Sequence, residues 1–505
     1  MSSTMRPKTL GDLKSSEFQP STVREEMHRN LVRKLRSGDP LMPGIIGYDQ
    51  TVIPELENAL LAGQNVVILG ERGQAKSRIV RSMTLLLDEY IPYISTTETN
   101  DDPFNPVSAA GREMLGELGD NTPIDWLHRD SRYGEKLATP DVSMADLIGD
   151  VDPIRVAEGR YLSDELTIHF GLIPRTNRGI FCVNELPDLA ERIQVGLFNL
   201  MEERDVQIRG YSVRLPLDIV VFATANPEDY TNRGRIITPL KDRFGAQVRT
   251  HYPMSTAHER SIVEQERLRL SDGGVQVMFP DFMAEIVAEL TRQARRSSEV
   301  NQRSGVSVRL SIANNETLRS AALKRALLLG EECAAPRITD LPALSSSMRG
   351  KIELETFEEG REDQVIEDLS KRSVSAVFSS NFPEGSLREV VSQFEAGAIA
   401  NTGARIGSAE YRQLLGQAPA LGAAAKKLRS DGTDAELASG IEFILEGLHL
   451  TRQLNRDVVE GGFAYRREPP PQPAEGFGNL LAQDENDELR ERLRRMRRRG
   501  RDQGL

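Results

Sequence analysis

The sequence predicts an α/β core built on a parallel sheet, followed by two helical regions. Three observations carry this. From Asn65 to about His251, apolar strand-like runs alternate with helical stretches, the pattern of parallel strands joined by helical crossovers. One of these runs, Val66-Val67-Ile68-Leu69, passes into a Gly-led loop that closes on Lys76-Ser77 and opens an apolar helix from Ile79 to Leu87. Beyond the core, residues 256–345 and 350–460 carry Leu and Ala at helical spacing.

Residues 1–40 are polar and charged and read as a helical lead-in, ended by Pro40, Pro43 and Gly44. The α/β domain is expected over 41–255, with strands at 65–69, 91–95, 179–183 and 218–224. Two interruptions fall inside it. Residues 143–171 hold a short β-like excursion around Glu158-Gly159, and 204–214 read as a hairpin turning at Gly210. A helical lid is expected over 256–349 and a further helical region over 350–465. Residues 466–505 combine a stiff Pro469-Pro470-Pro471-Gln472-Pro473 linker with an Arg-rich tail.

Composition narrows the class. The 505 residues allow about three domains at ~150 residues each. No apolar run approaches the ~20 residues of a membrane span, and the first residues lack the apolar core of a signal peptide. Cys182 and Cys333 make no disulfide framework, which points to a reducing, cytoplasmic setting. Cys182 sits in an apolar strand pattern, where burial is expected. The net charge of −12 argues against a dedicated nucleic-acid binder.

The loop Gly70-Glu71-Arg72-Gly73-Gln74-Ala75-Lys76-Ser77 follows the phosphate-binding pattern G-x-x-x-x-G-K-[ST], with Ala75 in the second glycine's place. Backbone N–H groups in such a loop cradle phosphates, Lys76 would reach the β- and γ-phosphates, and Ser77 would hold Mg²⁺. A second strand, Gly179 to Val183, delivers Asn184 and Glu185 to its C-terminal end, where parallel sheets build active sites. A third, Asp218 to Ala225, delivers Asn226, an amide suited to orienting a water beside the γ-phosphate. Further on, Arg243 stands in Leu240-Lys241-Asp242-Arg243-Phe244-Gly245, and Arg309 opens a helical segment.

In this order the five sites resemble the AAA+ ATPases, and among them the magnesium chelatase ATPase subunit and the related MoxR group. The resemblance spans roughly residues 40–345 and includes Gly171-Leu172-Ile173-Pro174-Arg175-Thr176-Asn177-Arg178 ahead of the second strand. It implies an AAA+ P-loop core, ATP and Mg²⁺ as ligands, and ATP hydrolysis. Lys76 and Ser77 match the Walker A pair, Glu185 the catalytic Walker B glutamate, Asn226 sensor 1, Arg243 the arginine finger acting on a neighbouring subunit, and Arg309 sensor 2. Ile45, Ile46 and Gly47 match the adenine contact. Asn184 takes the place of the Mg²⁺-supporting Asp and brings no charge, while the β-carbon of Ala75 crowds a tight turn. The family further implies a hexamer-like homo-oligomeric ring, a partner with a von Willebrand A-type domain, and remodelling of that partner or metal insertion through it.

Two alternatives accompany this reading. Ala75 and Asn184 suit an ATP-gated scaffold that hydrolyses slowly. A σ54-dependent transcription activator is a structural neighbour, but no Gly-Ala-Phe-Thr-Gly-Ala-like loop or helix-turn-helix pattern is visible. In the tail, eight Arg lie between Arg490 and Arg501, with Leu489, Leu493 and Met496 on one helical stripe. Without interleaved aromatics this suits docking on an acidic protein surface better than nucleic acid.

Overall fold

The computed structural model describes residues 6–151, 165–202, 205–208, 211–227, 235–302, 304–355 and 360–467. The Glu158-Gly159 and Gly210 turns, the Pro-rich linker and the Arg-rich tail lie outside the described residues. The chain divides into two compact units, one of residues 1–267, 294–312 and 350–357, the other of 268–293, 313–349 and 358–505.

The first unit is built on a five-stranded sheet with strands β1 (Val66–Leu69), β2 (Tyr133–Leu137), β3 (Gly179–Asn184), β4 (Ile219–Ala225) and β5 (Ala246–Arg249), in the order β5-β1-β4-β3-β2. Every pairing is parallel; Leu69 stands beside Ala225, and Val183 beside Ala223. The three central strands, β1, β4 and β3, are buried throughout, which is why they read as continuous apolar runs. Alternate residues divide between two cores. Val66, Ile68, Ile180, Cys182, Val220 and Phe222 pack on one face, and Val67, Leu69, Phe181, Val183, Val221 and Ala223 on the other.

The expected strand at 91–95 is present as Tyr90–Ile94, but it pairs antiparallel with Ile124–His128 outside the central sheet. Pro92 gives the reason: without an N–H it cannot complete a central ladder, and it suits a two-stranded ribbon. The sheet instead ends on β2 and β5. These strands carry Glu135, Lys136, Gln247 and Arg249, a polarity that fits edge positions and hides them from an apolar-run reading. The excursion is an antiparallel pair of Gly149–Val151 with Ile168–Phe170, and Asp205–Ile208 pairs antiparallel with Tyr211–Arg214.

Helix α1 (Val23–Ser37) starts at a capping box between Thr22 and Glu25. Its Glu26 is buried against Arg132 at 2.6 Å, just ahead of β2. Helix α2 (Lys76–Ser82) follows the phosphate loop; α3 (Glu191–Glu202) and α4 (Thr238–Arg243) follow β3 and β4. Helix α5 (Arg309–Leu329) opens in the first unit.

The second unit is helical, with Arg361–Asn381 and Asp434–Leu450 among its longer helices and Phe282 stacked on Phe443 at 4.6 Å. It also holds a three-stranded antiparallel sheet of Ala400–Gly403, Gly462–Arg466 and Asn455–Val459. That sheet is not anticipated by the helical spacing around it. No helix among the described residues is long and apolar enough to cross a membrane.

Candidate functional site

The C-terminal ends of β1, β3 and β4 lie side by side, so the residues that leave them converge. From β1 the chain turns through Gly70 to Ala75 into α2. Gly70 has no room for a side chain: a β-carbon there would stand 1.8 Å from the Thr250 Oγ. Gly73 takes a left-handed backbone at φ +77°, and a β-carbon on it would meet the Ser307 Oγ at 1.8 Å. Gln74 braces the loop from within. Its carboxamide oxygen accepts from the Glu71 N–H at 3.1 Å and from the Thr250 hydroxyl at 2.7 Å. Ala75 is left-handed at φ 58°, ψ 17°, a conformation that costs an L-residue about 1–2 kcal/mol.

Lys76 is buried. Its ammonium donates to the carbonyls of Gly70 and Glu71 and to the Asn226 Oδ1. The amide of Asn226 donates in turn to the Glu185 Oε2 at 2.9 Å. Three loops from three strands are thus joined in one chain, Lys76 to Asn226 to Glu185. Glu185 itself turns at φ 55°, its N–H held by the Thr224 hydroxyl at 3.2 Å.

Ser77 faces Asn184, with 3.4 Å between Oγ and Oδ1. The same Oδ1 accepts from Thr224 at 3.1 Å, and the Asn184 Nδ2 donates to Glu135 on β2. Arg81 clasps Glu135 with two hydrogen bonds of 2.8 and 3.0 Å. Burial pushes the Glu135 carboxyl up, but donation from Arg81, Tyr133 and Asn184 outweighs this and holds it below the usual carboxylate range. Burial, with Glu135 nearby, pushes the Cys182 thiol up to about 12. Cys182 is therefore an inert packing residue, consistent with its full burial.

The other residues singled out in the sequence stand apart from this chain of hydrogen bonds. Arg243, at the end of α4, forms an ion pair with Glu202 at 2.8 Å and lies over the Phe198 ring. Arg309 is exposed at the start of α5, its N–H held by Ser307, the residue that abuts Gly73. The Arg72 carbonyl accepts from the Tyr252 hydroxyl at 3.1 Å. Ile45 and Ile46 are half-buried, and Gly47 (φ +86°) packs against the His258 ring. Three contributors escape a reading of motifs: Tyr48, Thr250 and Glu135. The Tyr48 hydroxyl lies 3.0 Å from the Gln74 carbonyl and 2.8 Å from the His251 carbonyl, and burial pushes its pKa up to about 12. Each acts through tertiary proximity, and no local spacing signals it.

The oxygen donors at Ser77 and Asn184, with a carboxylate next to them, fit a hard cation such as Mg²⁺, which takes one or two protein oxygens beside nucleotide phosphates. The exclusively amide, carboxylate and ammonium character of the Lys76–Asn226–Glu185 chain suits an anionic ligand and a polarised water.

Magnesium-chelatase subunit ChlI of Nostoc sp. (strain PCC 7120) is 29% identical over 238 residues, covering 44% of this chain and 57% of that protein. The chloroplastic ChlI of Nicotiana tabacum is 30% identical over 259 residues, covering 48% of this chain and 55% of that protein. Over a little under half of its length the chain is similar to magnesium-chelatase subunit ChlI. It spans a little over half the length of these ChlI relatives. A chain in the complex between subunits BchI and BchD of magnesium chelatase is similar at 20% identity and a TM-score of 0.31, covering 64% of this chain and 98% of that one. No family model matches the ChlI-like chain.

Proposed function

We propose that this chain is a Mg²⁺-dependent ATPase that works as a closed ring of the chelatase/MoxR type. The observation that carries the reading is the Lys76–Asn226–Glu185 chain at the ends of three adjacent parallel strands. Lys76 binds the phosphates through the same ammonium that now holds Asn226. Glu185 takes a proton from the attacking water, and Asn226 orients that carboxylate. Mg²⁺, held by Ser77 and the Asn184 side of the site, would neutralise charge on the phosphates. Arg243 completes a neighbouring subunit's site, which requires a head-to-tail interface that closes into a ring, hexamer-like in this family. The work done by such a ring is the remodelling of a partner protein, one with a von Willebrand A-type domain, or metal insertion through it.

The test is phosphate release from ATP. Wild type should require Mg²⁺, and Glu185→Gln should lower turnover by about 10²–10⁴-fold while nucleotide binding persists. Unchanged turnover in that variant would remove the mechanism. The trapped variant with ATP should also run as a ring and retain its client in a pull-down.

A slow, ATP-gated scaffold is the second reading, favoured by the left-handed Ala75 and the uncharged Asn184. Because Asn184 donates to Glu135, an aspartate at 184 is best introduced with Glu135→Gln, so that two carboxylates do not meet. On the scaffold reading, adding Ala75→Gly to that exchange raises turnover sharply; an unchanged rate counts against it.

A further inference from the structure

Position 184 has an amide where a Mg²⁺-supporting carboxylate is expected, yet a carboxylate is present one strand away. In the β2–β3 register Glu135 stands beside Cys182. Asn184 follows two residues later, so its side chain emerges on the same face of the sheet. We infer that Glu135 is the positioning residue for the cation end of the site, fixing the Asn184 amide and supplying the negative charge that residue 184 lacks. The inference rests on the Mg²⁺-nucleotide reading above and deepens it.

The argument is one of donors and acceptors. An ionised carboxylate only accepts hydrogen bonds. Glu135 therefore takes the Nδ2 end of the Asn184 amide. The Oδ1 end is left facing Ser77 at 3.4 Å, with Thr224 donating to it from behind at 3.1 Å. The Cys182 thiol adds a weak donation to the same Oδ1 at 3.5 Å; without Glu135 the amide keeps only these neutral partners, Ser77, Thr224 and Cys182, each able to donate or accept, and they hold its orientation less strongly. A flipped amide would present N–H groups to a cation.

Arg81 makes the proposal testable against its plainest rival. It lies four residues after Ser77, on the same face of α2, and its side chain is 63% exposed while the Glu135 side chain is 19% exposed. If the Arg81–Glu135 pair only ties a helix to an edge strand, removing either partner has the same consequence. If Glu135 serves the cation, the two removals act in opposite directions. Loss of Glu135 takes away an attractive charge, and loss of Arg81 takes away a repulsive one that also competes for the carboxylate.

The experiment uses Mn²⁺ as the probe, followed by EPR, with the full chain bound to ADP. Glu135→Gln should weaken Mn²⁺ binding about tenfold, the scale of outer-shell substitutions, and leave ADP affinity in EDTA unchanged. Arg81→Ala should bind Mn²⁺ at least as tightly as wild type. Glu135→Gln combined with Asn184→Asp should recover the affinity, because the carboxylate has moved and has not been lost. Thermal unfolding of each variant shows that it is folded. Equal weakening in Glu135→Gln and Arg81→Ala, or wild-type Mn²⁺ affinity in Glu135→Gln, would overturn the inference while ADP binding stands. Failure of wild type to bind ADP would instead overturn the nucleotide reading, and this inference with it.

Discussion

The approach of Gly73 to Ser307 is one of two close constraints on the phosphate loop, and it can be measured. In Gly73→Ala the new β-carbon would stand 1.8 Å from the Ser307 Oγ, 2.6 Å from its Cβ and 3.2 Å from its Cα. Two costs combine. A left-handed backbone at φ +77° costs an L-residue about 1–2 kcal/mol. Overpacking against the serine adds about 1–3 kcal/mol, giving about 2–5 kcal/mol in all. Ser307→Gly alone loses the hydroxyl's hydrogen bond from the Arg309 N–H, 3.1 Å, worth about 1 kcal/mol. In the double variant the overpacking cost disappears, because the Oγ and Cβ are gone and the 3.2 Å contact to Cα is relieved by small shifts. The cycle should therefore show a favourable coupling of about 1–3 kcal/mol. The assay is urea unfolding followed by tryptophan fluorescence. Trp126 is the only tryptophan in the chain and belongs to the first unit, where its indole N–H donates to the Pro7 carbonyl. The signal therefore reports on the unit that holds both substitutions. A coupling of zero would mean that the start of α5 does not press on the phosphate loop, and the placement of Arg309 beside that loop would fall with it.

Three further outcomes follow from other parts of the first unit. Arg243→Ala should leave stability within about 1 kcal/mol, since its ion pair with Glu202 is more than a third exposed on both sides. It should nevertheless lower ATP turnover about 10³-fold or more. Mixing it with Glu185→Gln should restore activity if Arg243 acts on a neighbouring subunit, and failure to restore it would refute that role. Glu26→Gln strips the buried Arg132 of the carboxylate charge that faces it at 2.6 Å and should destabilise the first unit by about 3–5 kcal/mol in the same urea assay. Iodoacetamide at pH 8 should label the half-buried Cys333 and spare Cys182, whose thiol is pushed up to about 12 and is fully buried; equal labelling in the native protein would contradict that environment.

The legible parts of the fold were those whose physics is local. β1, β3 and β4 are apolar along their whole length because both faces are covered, and the polar residues that end them are conspicuous for that reason. The edges were not legible. β2 and β5 carry charges, and Tyr90–Ile94 looks like a sheet strand until Pro92 is weighed. The same division holds in the site. Lys76, Ser77, Asn184, Glu185 and Asn226 stand out by position after a strand. Thr250 and Tyr48 brace the loop from residues distant in sequence, and Glu135 meets Asn184 only through strand register. The small sheet of the second unit was hidden by distance: Ala400–Gly403 pairs with a strand some sixty residues later, and no short-range pattern signals such a pairing.

The two departures from the phosphate-loop and acidic-strand patterns differ in kind. Ala75 and Glu185 both hold a left-handed backbone, at φ 58° and 55°. For Glu185 the strain is offset locally, by the Thr224 hydroxyl on its N–H and the Asn226 amide on its carboxylate, and the turn is what brings that carboxylate to Asn226. Strain of this sort is characteristic of residues held for a task. Ala75 has no polar side chain to offset its conformation, so its cost of about 1–2 kcal/mol rests on the loop itself. Ala75→Gly should accordingly change how readily the loop holds its shape, independently of any cation. The amide at 184 acts on charge instead, and Glu135 stands where it can make that charge good. A kinetic defect traced to position 75 would then persist at any Mg²⁺ concentration, whereas one traced to position 184 would fade as Mg²⁺ is raised.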